Sequence, residues 1–579
     1  MDNKVELSDN ALEIAKSRYF TNGEDWEQCT NRVSEAISVA DGVNKKEYHK
    51  KFHEMIYNMD FIPGGRIMRN AGSHRNASLF NCYVLPIEDS IDDIGTYLKE
   101  SLILWASGGG IGANFSSLRP KGDIILGKGG VSSGLVSFLE ASDHTAKCIE
   151  SGGQRRAAGL ACVEVTHPEV LDFIDAKLVD GRLSHYNISV GITNEFLEAV
   201  ESDSDWEFKF KQRSYGKIKA KVIWDKILNN MINNAEPGLL NFTNLTKNNS
   251  YYYDPIVCTN PCGEVPLSIH SVCDLGSLNL PNFITGTINT NWKKLEYTIK
   301  LAVRFLDNVI DVNNYILPEN DKKAHASRRI GIGVLGLANY LFHKKLRYGS
   351  IASINEVEKL MKFIRDCIYQ ASIELAVEKG SFPRFDPVQY IKSSFVRKLP
   401  VSMRMEIKNK GIRNVTLMSQ APTGTISLLC DKTSGIEPLI SKAYKREDRV
   451  GTRIYINPIY EKILKEHGTT PDWFVDCFDL KPEDHFEMQS IIQKYTDGAC
   501  SKTINLPNNA TIGDLDKLLL EYAKDLKGVT VYRDGSREGQ ILNPLTEEET
   551  LDYLKDNGTE VNNNLSEVDV QCASGKCDI

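Results

Sequence analysis

Apolar positions over residues 1 to about 70 recur at helical spacing, as in Leu12, Ile14, Ala15 and Tyr19, and predict a helical N-terminal region. From about 71 the texture changes: short apolar runs alternate with helical periods and glycine-rich turns. Ile91, Ile94, Leu98, Leu102 and Trp105 predict a helix, with Asp89-Ser90 before it as the N-cap. Ile299, Ala302, Val303, Leu306 and Ile310 predict a second amphipathic helix. "YNISVGIT" (186–193) and "GVTVY" (528–532) predict strands. Strands alternating with helices imply an α/β domain around a mostly parallel sheet. There is no internal repeat. After about 545 the chain is acidic, rich in Asn and poor in aromatics, which predicts a mobile tail. The expected organisation is therefore a helical region over 1–70, an α/β domain over 71–545 and a tail over 546–579.

Composition narrows the function classes. The chain has 579 residues, 41% hydrophobic and 25% charged, with net charge −8. That balance lacks the basic footprint of a nucleic-acid binder, although local basic loops still suit phosphorylated small molecules. No apolar run approaches the roughly 18–20 residues that span a bilayer. The first residues lack a signal-peptide apolar stretch, so a cytosolic location with reduced thiols is expected, and no membrane partner. Thirteen cysteines then read as buried thiols, redox groups or metal ligands rather than a disulfide framework. Cys148, Cys162, Cys367, Cys430 and Cys477 sit among apolar neighbours and read as small core residues.

The candidate chemistry concentrates in "TNPCGEVPLSIHSVCDLGSLNL" (259–280), where Asn260, Cys262 and Glu264 alternate and Cys273 follows. In an extended segment that alternation points all three side chains to one side. "APTGTISLL" (421–429) offers Thr423, Gly424, Thr425, Ile426 and Ser427 at a helix start, suited to a phosphate or to an ordinary cap. "ASGGGIGANFSSLRPKGDIILGKGG" (106–130) and "ESGGQRRAAG" (150–159) are glycine-rich basic loops that favour anionic ligands such as nucleotides. "GIGVLG" (331–336) fits a dinucleotide fingerprint literally, but lacks the following acid, so its glycines read as close-packing positions. Cys82, in "LFNCYVLP", reads as a core thiol by itself. Cys572 and Cys577 close the chain, and two cysteines on a polar tail suit thiol exchange.

Together these motifs resemble the large catalytic subunit of ribonucleotide reductases. They occur in that family's order: "NCYVLPIEDSIDDI", "GGGIGANFSSLRPKG", "SGGQRRAAG", "HPEVLDFIDAK", "NPCGE", "CDLGSLNL", "RRIGIGVLGLA", "APTGTISLL" with "SGIEP", and the terminal cysteine pair. The resemblance implies a ten-stranded α/β barrel of two five-stranded parallel halves, with a central finger loop carrying Cys262 as the thiyl radical. It implies that Glu264 is the base on the ribose 3′ hydroxyl and that Asn260 holds the ribose. Cys82 and Cys273 would supply two electrons and become a disulfide. Cys572 and Cys577 would reduce it and be recycled by thioredoxin or a glutaredoxin-like donor. By the same resemblance Asn81, Gly110 and Thr423–Ser427 contact substrate. Asp89, Arg119 and the loop 120–130 match the dNTP/ATP specificity-effector site of a homodimer, and Arg155 lies in the loop that relays effector identity.

The radical source is a further expectation. The tail carries cysteines where a glycyl-radical motif would stand. "KGVTVYRDGSREGQIL" has Tyr532 without an adjacent tyrosine, which is similar to the adenosylcobalamin-dependent class. The alternative is a subunit that receives its radical from a separate di-metal protein, with no cofactor in this chain. A non-catalytic nucleotide-binding regulator is a remote third reading, disfavoured by the full set of thiols. The expected substrates are diphosphates, with triphosphates open. About 70 N-terminal residues leave too little room for an ATP-cone domain. No metal ligands are expected in this chain.

Overall fold

A computed structural model describes residues 5–557 apart from 22, 76, 126–128, 152–154, 180, 287, 449–450 and 537–541. The tail cysteines 572 and 577 lie outside the described residues. The N-terminal region carries helices Asp9–Ile14, Trp26–Ser38, Lys45–Tyr57 and Gly65–Asn70. Asp25 starts the second with a reciprocal capping box to Gln28.

The sheet is built in two halves. The first is parallel throughout: β1 (Cys82–Val84), β2 (Gly110–Asn114), β3 (Ala158–Glu164), β4 (Tyr186–Ile192) and β5 (Gly238–Asn241). The second contains β6 (Val272–Asn279), β7 (Ile330–Leu335), β8 (Thr503–Leu506) and β9 (Gly528–Arg533), with β6–β7 and β8–β9 parallel. The 416–420 segment completes it. Parallel bridges join Ile332 to Met418 and Gln420 to Cys500. Ile332 N donates to Leu417 O at 2.8 Å and Gln420 N to Ala499 O at 3.0 Å. Antiparallel seams, β1–β6 and β5–β9, join the halves. The pairing thus returns on itself, with a short strand Phe61–Pro63 added against β6.

Strand periodicity sorts side chains between two cores. Cys82, Val84, Leu160, Cys162, Leu240, Cys273 and Leu275 belong to a small inner cluster. Tyr83, Ile111, Ala161 and Ile188 join the large cluster under the helices. Helix Trp292–Val312 buries Ile299, Ala302, Val303, Leu306 and Ile310, as their spacing predicts. Helix Ile91–Ala106 forms with Ser90 as its cap, but Ile91, in its first turn, is exposed. Cys148 is likewise exposed and Cys367 half-buried, contrary to the core reading, since the first caps the end of helix Leu135–Lys147 and the second lies on a partly exposed face of helix Ile351–Lys379. Helix Glu547–Asn557 lies in the stretch read as tail. Thr546 caps it, exchanging hydrogen bonds with Glu549, and Leu551 and Leu554 pack on the main core.

Candidate active site

The 258–267 segment is a β-hairpin threading the sheet's interior, with Cys258 opposite Leu267 and Thr259 opposite Pro266. Its tip is a turn rather than the extended run expected from the alternation. Gly263 N donates to Asn260 O at 3.0 Å, Val265 N donates to the Asn260 side-chain oxygen at 2.9 Å, and Gly263 takes φ +83°. A turn brings Asn260, Cys262 and Glu264 to one cavity by reversing the chain. Three surrounding elements hold the tip. Asn187 on β4 donates to Pro261 O at 3.0 Å. Ala499 N donates to Glu264 O at 2.9 Å. On β2, an added Cβ at Gly110 would stand 3.1 Å from the Pro261 ring, and one at Gly112 would run into the Thr259 carbonyl. The glycines of "GGGIGAN" are therefore a bed for the finger loop, and this stretch is a strand rather than a phosphate-binding loop. Gly331 and Gly333 serve close packing on the opposite wall, where added Cβ atoms would meet Cys273 Sγ at 3.2 Å and Gln420 Oε1 at 3.4 Å.

Cys82 and Cys273 are direct cross-strand partners at the β1–β6 seam. Residues opposed in an antiparallel pair have Cβ atoms about 4.5–5.5 Å apart, close to the spacing of a disulfide. Both thiols are buried. Desolvation pushes the Cys82 thiol well above its ordinary value, helped by Glu264 and Cys273 and opposed by Asn260, whose amide donates to Cys82 Sγ at 3.3 Å. Desolvation does the same to Cys273, with Asp274 adding to it and Arg329 opposing. Both are thus held as protonated thiols, able to give hydrogen.

One cavity of about 960 Å³, counting its open mouth, is lined by Cys82, Asn260, Cys262 and Glu264 together with Asn81, Gly110 and Thr423–Ile426. Ser427 does not line it; its hydroxyl is buried, donating to Gly424 O at 3.0 Å. Thr423 takes φ +57° and accepts from Gly435 N at 2.6 Å, which fixes the turn at the cavity's edge. A second cavity of about 750 Å³ opens on the other side of Pro261 and Cys262. It is lined by Asn187, Ser189, Glu236 and Thr530 among apolar side chains of β3, β5 and β9. Glu236 is engaged there by Lys177 at 2.5 Å.

Away from the cavity, Asp89 receives Arg119 Nε at 2.9 and 3.0 Å, and the Arg119 backbone N–H at 3.1 Å. This joins two of the effector candidates. Arg155 lies in a strand paired with Glu150–Ser151; its side chain lies outside the described residues. Among the described residues no group of three or more His, Cys, Asp or Glu is placed to hold a metal ion, and no helix is long and apolar enough to cross a membrane.

Sequence reasoning missed Arg66, which lines the cavity from the first turn of helix Gly65–Asn70, and the anchors Asn187 and Ala499. "PGGR" carries a glycine signal for close packing, but nothing in the spacing ties it to the residues around 262 and 423.

The profile described as "Ribonucleotide reductase, barrel domain" matches residues 80–532, and "Ribonucleotide reductase, all-alpha domain" matches 5–76. A Thermoplasma acidophilum protein named vitamin B12-dependent ribonucleoside-diphosphate reductase is 34% identical, over 93% of this chain and 72% of its own length. A Mycobacterium tuberculosis protein of the same name is also 34% identical, over 93% and 81%. A Chlamydia pneumoniae ribonucleoside-diphosphate reductase subunit alpha is 25% identical, over 83% and 50%. With a thiol hairpin inside a two-half sheet and a profile match over most of its length, the chain belongs to the ribonucleotide reductase large-subunit family.

Proposed function

We propose that this chain reduces ribonucleoside diphosphates to 2′-deoxyribonucleotides by thiyl-radical chemistry, with adenosylcobalamin as the source of the radical. The observation that carries the reading is the convergence at one cavity of Cys262 and Glu264 on the finger loop with Cys82 on the wall, whose cross-strand partner Cys273 is buried behind it. The names of the 34%-identical relatives support diphosphates and cobalamin.

Cys262, as a thiyl, takes the ribose 3′ hydrogen, and Glu264 accepts the 3′ hydroxyl proton. Cys82 and Cys273, protonated by burial, give the hydrogen and electrons that let the 2′ hydroxyl leave as water. In balance, one C–OH becomes C–H, two thiols become one disulfide and one water is released. Asn260 orients the ribose while its amide holds Cys82. Adenosylcobalamin, when bound, supplies the species that withdraws a hydrogen atom from Cys262. The second cavity suits its adenosyl end: it borders Cys262 and carries the polar side chains of Asn187, Ser189, Glu236 and Thr530 among apolar walls. Cys572 and Cys577 reach in to reduce the Cys82–Cys273 disulfide and are recycled by thioredoxin or a glutaredoxin-like protein. Asp89 and Arg119 bind dNTP or ATP effectors in a cytoplasmic homodimer.

The test is turnover of the purified chain with CDP or ADP, a dNTP effector, a dithiol and adenosylcobalamin. Deoxynucleotide should form without a second protein. Cys262→Ser should abolish it while nucleotide binding, read by calorimetry, persists. Product appearing only with a metal-loaded partner would overturn the cobalamin assignment, and appreciable reduction by Cys262→Ser would overturn the radical role.

A further inference from the structure

We propose that Arg66 anchors the terminal phosphate of the substrate, so that a residue outside the Thr423–Ile426 turn selects nucleoside diphosphates over monophosphates. This rests on the reductase reading of the same cavity.

Among the described residues lining the cavity, Arg66 is the one cation and Glu264 the one anion. A nucleoside diphosphate is a multiply charged anion at one end and neutral at the ribose. Repulsion from Glu264 directs its phosphates away from the Cys262 end and toward Arg66. The helix start that carries Arg66 abuts the Thr423–Ile426 segment, and both line the cavity. Gly64 N donates to Leu275 O at 2.7 Å, fixing the turn to β6. An added Cβ at Gly65 would lie 4.0 Å from Thr425 Oγ1, so the 64–66 and 423–426 turns abut. The guanidinium itself lies in a cradle that only glycine permits. Gly108 takes φ +88°, and a Cβ there would overlap the Arg66 guanidinium. One at Gly109 would stand 2.7 Å from the Tyr83 ring. Gly108 and Gly109 also line the cavity, so the cradle opens onto it. A planar fork held at the mouth of a pocket suits two phosphate oxygens.

The experiment is steady-state kinetics of the full chain with cofactor, effector and dithiol, comparing CDP with CMP, for wild type, Arg66→Gln and Arg66→Lys. Loss of one charged hydrogen-bonding contact should raise KM for CDP roughly 10- to 100-fold in Arg66→Gln, while kcat at saturation falls less than about 3-fold. The preference for CDP over CMP should collapse by a similar factor. Arg66→Lys should recover part of the KM, having charge without the fork. Inorganic pyrophosphate should compete with CDP in the wild type and weakly in Arg66→Gln; this readout also works by binding alone. An unchanged KM, an equal rise for CDP and CMP, or a loss confined to kcat would overturn the assignment. If the wild type itself forms no deoxynucleotide, the reductase reading fails first; if the wild type turns over and Arg66→Gln matches it, this inference alone fails.

Discussion

Gly112→Ala tests whether the strand bed sets the position of the finger loop. Gly112 sits on β2, and its added Cβ would run into the Thr259 carbonyl oxygen and stand 2.9 Å from the carbonyl carbon, with Cys258 Sγ at 3.4 Å. An ordinary carbon–carbon contact is about 3.5–4.0 Å, so the hairpin must withdraw by about 1 Å. Neither side can yield by rotating a side chain, because the clash is between backbones. Overpacking of this kind costs about 1–3 kcal/mol of stability, which a domain of this size tolerates. Displacing Cys262 by about 1 Å from a reacting hydrogen costs roughly 10²-fold in rate, or about 2.7 kcal/mol of barrier. The assay pairs deoxynucleotide formation with a thermal melt and nucleotide binding. The expected outcome is a melt lowered by a few degrees, binding within a few-fold, and turnover down about a hundredfold. Gly95→Ala is the control: on the exposed face of helix Ile91–Ala106 an added Cβ meets nothing within 4 Å. It should keep full rate and gain up to about 1 kcal/mol. A Gly112→Ala enzyme that melts normally and retains more than about a third of the wild-type rate would refute the claim that contact with β2 positions the radical thiol.

Replacing Cys572 and Cys577 together by serine should leave one product per active site in a pre-reduced enzyme but stop thioredoxin-driven cycling; equal multiple-turnover rates would remove the tail's role. Asp307 is buried in a network with Arg328 at 2.7 Å, Arg413 at 3.1 Å and Asn414 at 3.0 Å. Desolvation acts to raise its carboxyl, but Arg328 and Arg413 outweigh it and hold the group below its ordinary value. Asp307→Asn takes the carboxylate from half-buried Arg413, while Arg328 keeps Asp311 at 2.7 Å, and should cost about 1–3 kcal/mol, read by denaturant unfolding. A carboxyl lowered in the folded state stabilises above its unfolded pKa of about 3.9 and loses that stabilisation as pH falls through the folded value. The gap between wild type and Asp307→Asn should therefore be flat from pH 5 to 8 and narrow only below about pH 4. A gap that narrows near neutrality would rule out this carboxylate as its source.

Local signals settled a good deal from the sequence alone. Helix Trp292–Val312 and strand Tyr186–Ile192 follow from apolar spacing, because a 3.6 or 2.0 period is a property of neighbouring residues. The order of motifs pointed to Cys262, Glu264, Cys82 and Cys273 by resemblance. Tertiary structure decided what those residues face. Cys82 and Cys162 have the same apolar setting as Cys430, yet strand parity turns the first two into the inner cluster, whereas the third, at the end of helix Gly424–Leu429, joins the outer core. The opposition of Cys82 and Cys273 depends on strand register between segments far apart in the chain, which no local pattern encodes. The same holds for Arg66, brought onto the cavity by packing against Gly108, while its neighbour Gly65 abuts Thr425. Gly112 reads in the sequence like a ligand-binding glycine and is instead a seat for another backbone, while Gly110 both seats the Pro261 ring and lines the cavity, because freedom in φ and absence of a Cβ leave the same letter in the sequence and only a neighbour in space tells them apart.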